Sequence, residues 1–269
     1  MELTEKQKGE IVSKEHEYVD IDGVQYFCKI ASTNCNEIIA SRLSSLVGIN
    51  CPPYYIVNIN KDLYYLSYSF NNLGKFKSGK DLIGLDYYSN TMYNMWHVVE
   101  KEYPKDCKNL MFDLVKVFIF DIFMLNGDRH AGNYAIVEEN GNPKMYIFDN
   151  ESIFESIFRV ELSPKYNKRD FLRNSTRIII DPSATIGMKQ NMELLEYFLA
   201  TSSKLFGDLV VDFYNKLTPE LVYDVILEVE KSTGITNYDK SYNMKLYHKN
   251  YELIGDLLKD MDFIKKEGR

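Results

Sequence analysis

Hydrophobic and polar residues alternate with the two-residue period of β-strands over two stretches of the first seventy residues. Asp22-Gly23 interrupts this alternation, and an Asp-Gly pair readily adopts the positive φ angles of a tight hairpin turn. The pattern therefore predicts a β-rich N-terminal region built from two hairpins. Their strands cover residues 17–21 and 24–31 around Asp22-Gly23, and residues 54–60 and 63–70 around Lys61-Asp62.

A helix is predicted between the two hairpins, because apolar residues recur there at helical intervals from Ile38 to Val47. Asn34 precedes this run and Glu37 lies three positions later, which is the spacing of a capping box. Gly48 is expected to end the helix in a left-handed conformation.

Helical periodicity dominates beyond the polar, turn-rich stretch 71–80, which we interpret as the boundary between two lobes. Residues 1–72 would form a small β-rich N-lobe and residues 73–269 a larger helical C-lobe, a bilobal α+β architecture. Residues 108–125 are apolar on nearly all sides, which predicts a buried helix. The remaining C-lobe elements are strands 134–137 and 144–148, turned at residues 140–142, and helices such as 191–205 and 219–231.

The chain carries a formal net charge of -7, and its pI is near 5.3. An acidic surface repels nucleic-acid backbones at long range, so direct nucleic-acid binding is not expected. The four cysteines show no metal-binding spacing. No stretch has the roughly 18 apolar residues of a membrane span, and the charged N-terminus does not resemble a secretion signal. We expect a soluble, cytoplasmic protein.

Polar and ionisable side chains are concentrated directly after the predicted buried helix, in the segment Asn126-Gly-Asp-Arg-His-Ala-Gly-Asn133. An ordinary surface loop would also be polar. The following residues favour chemistry instead, because Asn133 lies five positions after Asp128 and the predicted hairpin returns the chain to Asp149. Phosphoryl transfer uses such a set: a carboxylate near the acceptor hydroxyl, and an amide with a second carboxylate for magnesium.

Lys29 and Glu37 are candidates further upstream. Strand alternation places Lys29 on the face opposite Cys28 and Ile30, and Glu37 begins the next helix. Together they would form the ion pair that positions ATP phosphates in kinases. Each also has a simpler interpretation, as a strand lysine and as a capping glutamate, and only the downstream segment favours the functional one.

These residues resemble those of the HipA-like serine/threonine kinases of bacteria, whose catalytic loop reads Asn-x-Asp-Arg-His-x-x-Asn and whose metal-binding Asp follows a hairpin. The likeness extends over about residues 24–155, and the short chain is similar to the compact CtkA-type kinases. The matching residues are Asn126, Asp128, Arg129, His130 and Asn133, then Asp149 in Phe148-Asp-Asn-Glu-Ser152.

The resemblance implies a protein-kinase-like fold that binds ATP and Mg²⁺ and phosphorylates Ser or Thr on a protein substrate. Asp128 would be the catalytic base. Asn133 would take part in catalysis and would bind the metal together with Asp149. The nucleotide-binding set would comprise Lys29, Glu37, Arg129 and His130: Lys29 would contact the phosphates, Glu37 would hold Lys29, and Arg129 and His130 would chiefly brace the loop.

Two features depart from or extend the family pattern. Family members usually carry a Gly- or Ser-rich loop over the phosphates, whereas segment 9–14 has one glycine and one serine, which predicts either a short, imperfect cover or a modest affinity for ATP. Residues 152–177 occupy the place of an activation segment and are locally cationic. They would be either a solvated loop or a site for a phosphorylated residue or acidic substrate, with Ser152 and Ser163 as candidate autophosphorylation sites.

Two other functions remain open at this point. Phosphatidylinositol kinases share a Gly-Asp-Arg-His-x-x-Asn loop that residues 127–133 also match, although an acidic protein is poorly suited to anionic membranes. The second is a non-catalytic nucleotide-binding interaction module. The family likeness also suggests a toxin with an antitoxin partner, which is an inference by analogy.

Overall fold

A computed structural model gives the fold, a mixed α+β architecture with a β-rich N-terminal part and a helical C-terminal part. This is the predicted fold class. The structure describes residues 2–31, 35–83, 92–126, 129, 131–154, 199, 204–235 and 240–264.

Two antiparallel hairpins form the first sheet. Strands β1 (Tyr18–Ile21) and β2 (Val24–Ile30) are joined by Asp22 and Gly23, with φ angles of 54° and 81°. Strands β3 (Tyr54–Ile59) and β4 (Asp62–Tyr68) are joined by Asn60 and Lys61, at 54° and 76°. Both hairpins are confirmed, the second with its turn one residue earlier than predicted. The strand order is β1-β2-β4-β3, so β2 is a central strand.

Helix α1 (Glu5–Ser13) precedes the sheet, which contradicts the prediction of a phosphate-covering loop at residues 9–14. Thr4 and Gln7 form a capping box that starts the helix, and Ile11 is fully buried against Val19, Cys28 and their neighbours. The capping box and the burial of Ile11 therefore stabilise a helix in a segment where a loop was predicted.

Helix α2 (Asn36–Leu46) lies between the hairpins as predicted, and Gly48 follows it with a φ of 71°. The predicted capping box is wrong, because the residue at the N-cap position is Cys35. Asn34, the residue proposed as the cap, lies outside the described residues. Glu37 is consequently available for a different contact.

A second sheet, ordered β5-β6-β7, follows the first one along the chain. Strand β5 (Lys75–Ser78) lies where the sequence predicted turns, while β6 (Tyr134–Glu139) and β7 (Asn142–Ile147) form the predicted hairpin. The short helix α3 (Gly79–Ile83) continues from β5. A β-bridge between Asn50 and Tyr146 connects this sheet to the segment that follows α2.

The helical part is built around α5 (Cys107–Met124), the predicted buried helix, which packs against α4 (Met92–Glu102) and against the first and last of three C-terminal helices. Those three helices are α6 (Lys204–Lys216), α7 (Pro219–Thr233) and α8 (Lys240–Asp260). The prediction of a helix at 219–231 is confirmed. The helix predicted at 191–205 falls mostly outside the described residues. Among the helices of the described ranges, none is long and apolar enough to cross a membrane.

Candidate active site

A cavity of about 450 Å³ opens between the two sheets. Its walls come from β2, the end of β4, β5 and the segment after β7, so both hairpin regions contribute to it. This volume lies within the range of small-molecule binding sites. Lys29, Glu37 and Asp149 are among its lining residues, so the cavity brings together predicted site residues that are more than 100 positions apart in the sequence.

Aromatic side chains form one end of the cavity. The ring of Phe70 lies 5.4 Å from Phe76 and 5.1 Å from Phe148, centroid to centroid, and 5.8 Å from Tyr146 behind them. Tilted and edge-to-face contacts of this kind hold the rings in fixed orientations. The result is a firm apolar wall, suited to a planar heterocycle.

Lys29 extends into the cavity from β2 because alternate residues of a strand point to opposite faces. Phe27 shares its cavity face, whereas Cys28 is fully buried on the other side. Lys29 Nζ lies 2.5 Å from Asp149 Oδ1 and 3.7 Å from Glu151 Oε2. Burial lowers the pKa of Lys29, but the surrounding carboxylates outweigh this effect and leave the pKa raised.

Asp149 follows β7 and has a φ of 56°, a left-handed conformation that is uncommon for a non-glycine residue. The β6–β7 hairpin returns the chain to Asn133, because the Phe148 N–H donates to the Asn133 carbonyl at 3.1 Å. Asn133 is buried at the end of a short 3₁₀ turn, Ala131–Asn133. The two predicted metal ligands therefore come from adjacent backbone segments.

Gly79 allows this turn to pack closely against α3. A Cβ atom at Gly79 would lie 2.3 Å from the Tyr134 ring and 2.7 Å from the Ala131 carbonyl oxygen. Real Cβ atoms do not approach other heavy atoms so closely. Glycine at this position therefore lets the turn that carries Asn133 lie directly against the start of α3.

Arg129 is fully buried and braces the loops behind the cavity. Its Nε and Nη2 donate to the two carboxylate oxygens of Asp121 on α5, at 2.9 and 3.1 Å. Its Nη1 donates to the Asn133 and Phe148 carbonyls, at 2.8 and 3.1 Å, and Nη2 also donates to Asn150 Oδ1.

These contacts occupy all five N–H donors of the Arg129 guanidinium. The structure therefore corrects the assignment of Arg129 to direct cofactor binding and agrees with its predicted bracing role. Asp121 pairs with the loop as a buried carboxylate, since Asn126 Nδ2 donates to it at 2.9 Å as well. Asp128 and His130 lie outside the described residues, and their roles stay predictions.

Glu37 makes a different contact from the one predicted. No ion pair within 4 Å joins it to Lys29, although both residues belong to the described part of the chain. Its carboxylate instead accepts from the backbone N–H of Asn150, and from Asn150 Nδ2 at 3.3 Å. Burial raises the pKa of Glu37 to about 7, with Lys29 acting in the opposite direction. Lys29 thus influences Glu37 through space and not through contact.

Asn150 and Glu151 are functional candidates to which the sequence pattern alone assigns no role. Asn150 is fully buried between Glu37 and Arg129, and Glu151 lines the cavity beside Lys29. In the sequence, only their position directly after Asp149 marks these two residues. Their roles depend on which residues of α2 and β2 lie next to them in space, and the sequence pattern does not predict those neighbours.

A family model described as HipA-like kinase matches residues 18–198. The chain belongs to the HipA-like kinase family. The match includes Lys29, Glu37 and Asp149, and every residue that lines the cavity except His16 lies within it. Membership of this family supports a kinase function.

Solved structures show the same fold at low sequence identity. The proinflammatory kinase CtkA of Helicobacter pylori superposes with a TM-score of 0.59 at 14% identity, over 91% of each chain. HipA of Shewanella oneidensis MR-1, solved with HipB and operator DNA as a toxin–antitoxin system, gives 0.51 at 16% identity, over 88% of this chain and 57% of HipA. No curated protein sequence matches the chain.

Proposed function

We propose that this HipA-like kinase is ATP- and Mg²⁺-dependent and transfers the γ-phosphoryl group to a Ser or Thr hydroxyl of a protein. The observation that carries the proposal is the direct pairing of Lys29 with Asp149 inside a cavity that has an aromatic wall at one end. Phosphoryl transfer uses a cation that binds the phosphates and a carboxylate that binds the metal, and Lys29 and Asp149 would supply this pair.

Different residues of the cavity would bind different parts of the nucleotide. The aromatic wall around Phe70 would take the adenine ring, because a planar heterocycle gains from apolar and edge-to-face contacts. Lys29 would hold phosphate oxygens by charge-assisted hydrogen bonds. Its present carboxylate partners keep the ammonium charged, as the raised pKa indicates.

Asn133 and Asp149 fit Mg²⁺ by the chemistry of their donors, since Mg²⁺ prefers oxygen ligands and usually takes one or two carboxylates plus substrate phosphates. Within the described ranges, no group of three or more His, Cys, Asp and Glu residues is placed to hold a metal alone. Magnesium, when bound, neutralises charge on the phosphates. The side chain of Asp149 is 41% exposed, so its carboxylate is accessible from the cavity.

Asp128 would accept the proton of the attacking hydroxyl, with His130 supporting the loop, both by the family motif. The hydroxyl oxygen then bonds to the γ-phosphorus while the bond to the β-phosphate oxygen breaks. Arg129 would keep this segment in place, because its guanidinium anchors the two following backbone segments to α5.

The lobes and the biological setting complete the proposal. Residues 1–72 would act as the nucleotide-covering N-lobe and residues 73–269 as the C-lobe, which is supported by a first sheet that ends at Tyr68 and a second that starts at Lys75. A cytoplasmic toxin with an antitoxin partner is proposed by analogy with the HipA complex, whose structure contains HipB.

Labelled ATP with Mg²⁺ tests the proposal when protein acceptors from a bacterial lysate and phosphoinositide vesicles are offered separately. We expect label in protein Ser or Thr with the wild type, and at least about 100-fold less with Asp149→Ala. Asp113→Ala, which removes a carboxylate paired with Lys116 on α5, is the matched control and should transfer normally. Label in lipid alone would indicate the phosphatidylinositol-kinase alternative. Unlabelled products together with retained ATP binding would indicate a binding module.

A further inference from the structure

The amide of Asn150 connects three parts of the site. Its backbone N–H and its Nδ2 both donate to the Glu37 carboxylate of α2. Its Oδ1 accepts from Arg129, which is bound to Asp121 of α5. Asn150 is fully buried, and its donor and acceptor ends match an anion on one side and a cation on the other.

Asp149 lies directly between two anchored neighbours. Arg129 binds the carbonyl of Phe148 before it and the side chain of Asn150 after it. The left-handed φ of 56° at Asp149 is a conformation that persists only when surrounding contacts hold it. The anchors on both sides supply such contacts, so the backbone at Asp149 is fixed from both directions.

Glu37 contributes to this arrangement through Asn150. Lys29 pairs with Asp149 and Glu151, whereas both carboxylate oxygens of Glu37 are occupied by Asn150. Helix α2 is therefore coupled to the Asp149 segment by a neutral amide, and the coupling does not pass through the lysine.

We propose that Asn150 is a positioning residue that sets the Asp149 carboxylate for metal binding, with Glu37 of α2 as its acceptor. The inference rests on the proposed function, because it takes Asp149 as a magnesium ligand. It assigns Glu37 a role through the metal-binding segment in addition to its through-space effect on Lys29.

An exchange of side-chain chemistry tests this relation. In the double variant Glu37→Gln/Asn150→Asp, the amide introduced at position 37 would donate to the carboxylate introduced at position 150. That carboxylate would still accept from Arg129, and the backbone N–H of position 150 would donate to the side-chain oxygen of position 37. The hydrogen bonds and the net charge are thus retained with one donor–acceptor pair reversed. The single variant Asn150→Asp instead opposes two carboxylates, and Glu37→Gln opposes two N–H donors.

The readouts are the Mg²⁺ concentration for half-maximal transfer, kcat and the KM for ATP. We expect each single variant to raise the half-saturating Mg²⁺ concentration by about 10- to 100-fold, as is typical when a partner that orients a metal ligand is lost. In the double variant, the half-saturating Mg²⁺ concentration should lie within about fivefold of the wild-type value, because the hydrogen bonds between positions 37 and 150 are retained. Asn250→Ala is the control, because Asn250 is equally buried and donates to the Ile122 and Phe123 carbonyls of α5. It should lower the melting temperature without changing the Mg²⁺ dependence.

The outcomes are distinguishable. A wild type without transfer overturns the proposed function and this inference together. Two results would overturn the inference alone when the wild type is active. In the first, the double variant does not recover the Mg²⁺ dependence of the wild type. In the second, the single variants have an unchanged Mg²⁺ dependence. If neither single variant folds, a folded double variant with near-normal Mg²⁺ half-saturation supports the inference, and an unfolded one contradicts it.

Discussion

At the scale of single residues, the centre of the molecule is a chain of buried polar groups that runs from Asp121 through Arg129 and Asn150 to Glu37. Each of these residues is at most 9% exposed. A buried charge is tolerated only when it is paired and hydrogen-bonded. Here the two carboxylates are separated by one guanidinium and one amide, so every link joins a donor to an acceptor.

Removing the cation from this chain should be costly. Arg129→Met leaves Asp121 buried without its charge partner, and we expect the free energy of unfolding to fall by about 3–5 kcal/mol. Arg42→Met, which breaks a partly exposed pair with Glu228 at 3.4 Å, should cost less than about 1 kcal/mol. Urea unfolding of both variants measures the difference. Equal losses would show that Arg129 is not a structural brace.

The pKa of Glu37 gives a pH-dependent prediction. It is raised from 4.5 to about 7, so the native state holds a proton that the unfolded state has released between these pH values. The unfolding free energy of the wild type relative to Glu37→Gln should therefore decrease as pH rises from about 4.5 to 7, by up to roughly 3 kcal/mol. Urea unfolding at several pH values tests this. A difference that is constant with pH would contradict the raised pKa.

At the scale of elements, the segments predicted correctly are those with local signals. Asp22-Gly23 fixes its hairpin by backbone conformation, and the apolar run before Leu125 makes α5 recognisable. Strand β5 was missed because its residues are mostly exposed and its hydrogen bonds go to β6, about sixty positions away. Helix α1 was missed because its signal is the Thr4–Gln7 capping box and not an apolar face.

The contact between α3 and the turn that carries Asn133 yields a prediction at this scale. Gly79→Ala forces a Cβ against the Ala131 carbonyl and the Tyr134 ring, so we expect about 1–3 kcal/mol of destabilisation. Gly9→Ala, in α1 with no heavy atom within 4 Å of the added Cβ, should instead stabilise by about 0.5–1 kcal/mol. Thermal unfolding compares the two variants. A neutral Gly79→Ala would show that the turn has room to move.

At the scale of the whole molecule, the cavity lies where the two sheets meet, and its chemistry depends on residues brought from both. The sequence selected Lys29 from a strand pattern and Asp149 from a motif, and both line the cavity, whereas Asn133, selected from the same motif, is buried and is not among the lining residues. The sequence was not sufficient for the partners of Glu37 and Arg129. Those follow from how α2, α5 and the segment after β7 pack together.

Nucleotide binding by the intact protein tests the central claim most directly, by calorimetric titration of ATP with and without Mg²⁺. We expect the wild type to bind MgATP, Lys29→Met to bind it at least about tenfold more weakly, and Asp149→Ala to lose the enhancement by Mg²⁺. Lys144→Met, a strand lysine paired with Glu139 away from the cavity, should bind like the wild type. Equal affinities in all four proteins, or no binding by the wild type, would contradict a kinase site in this cavity.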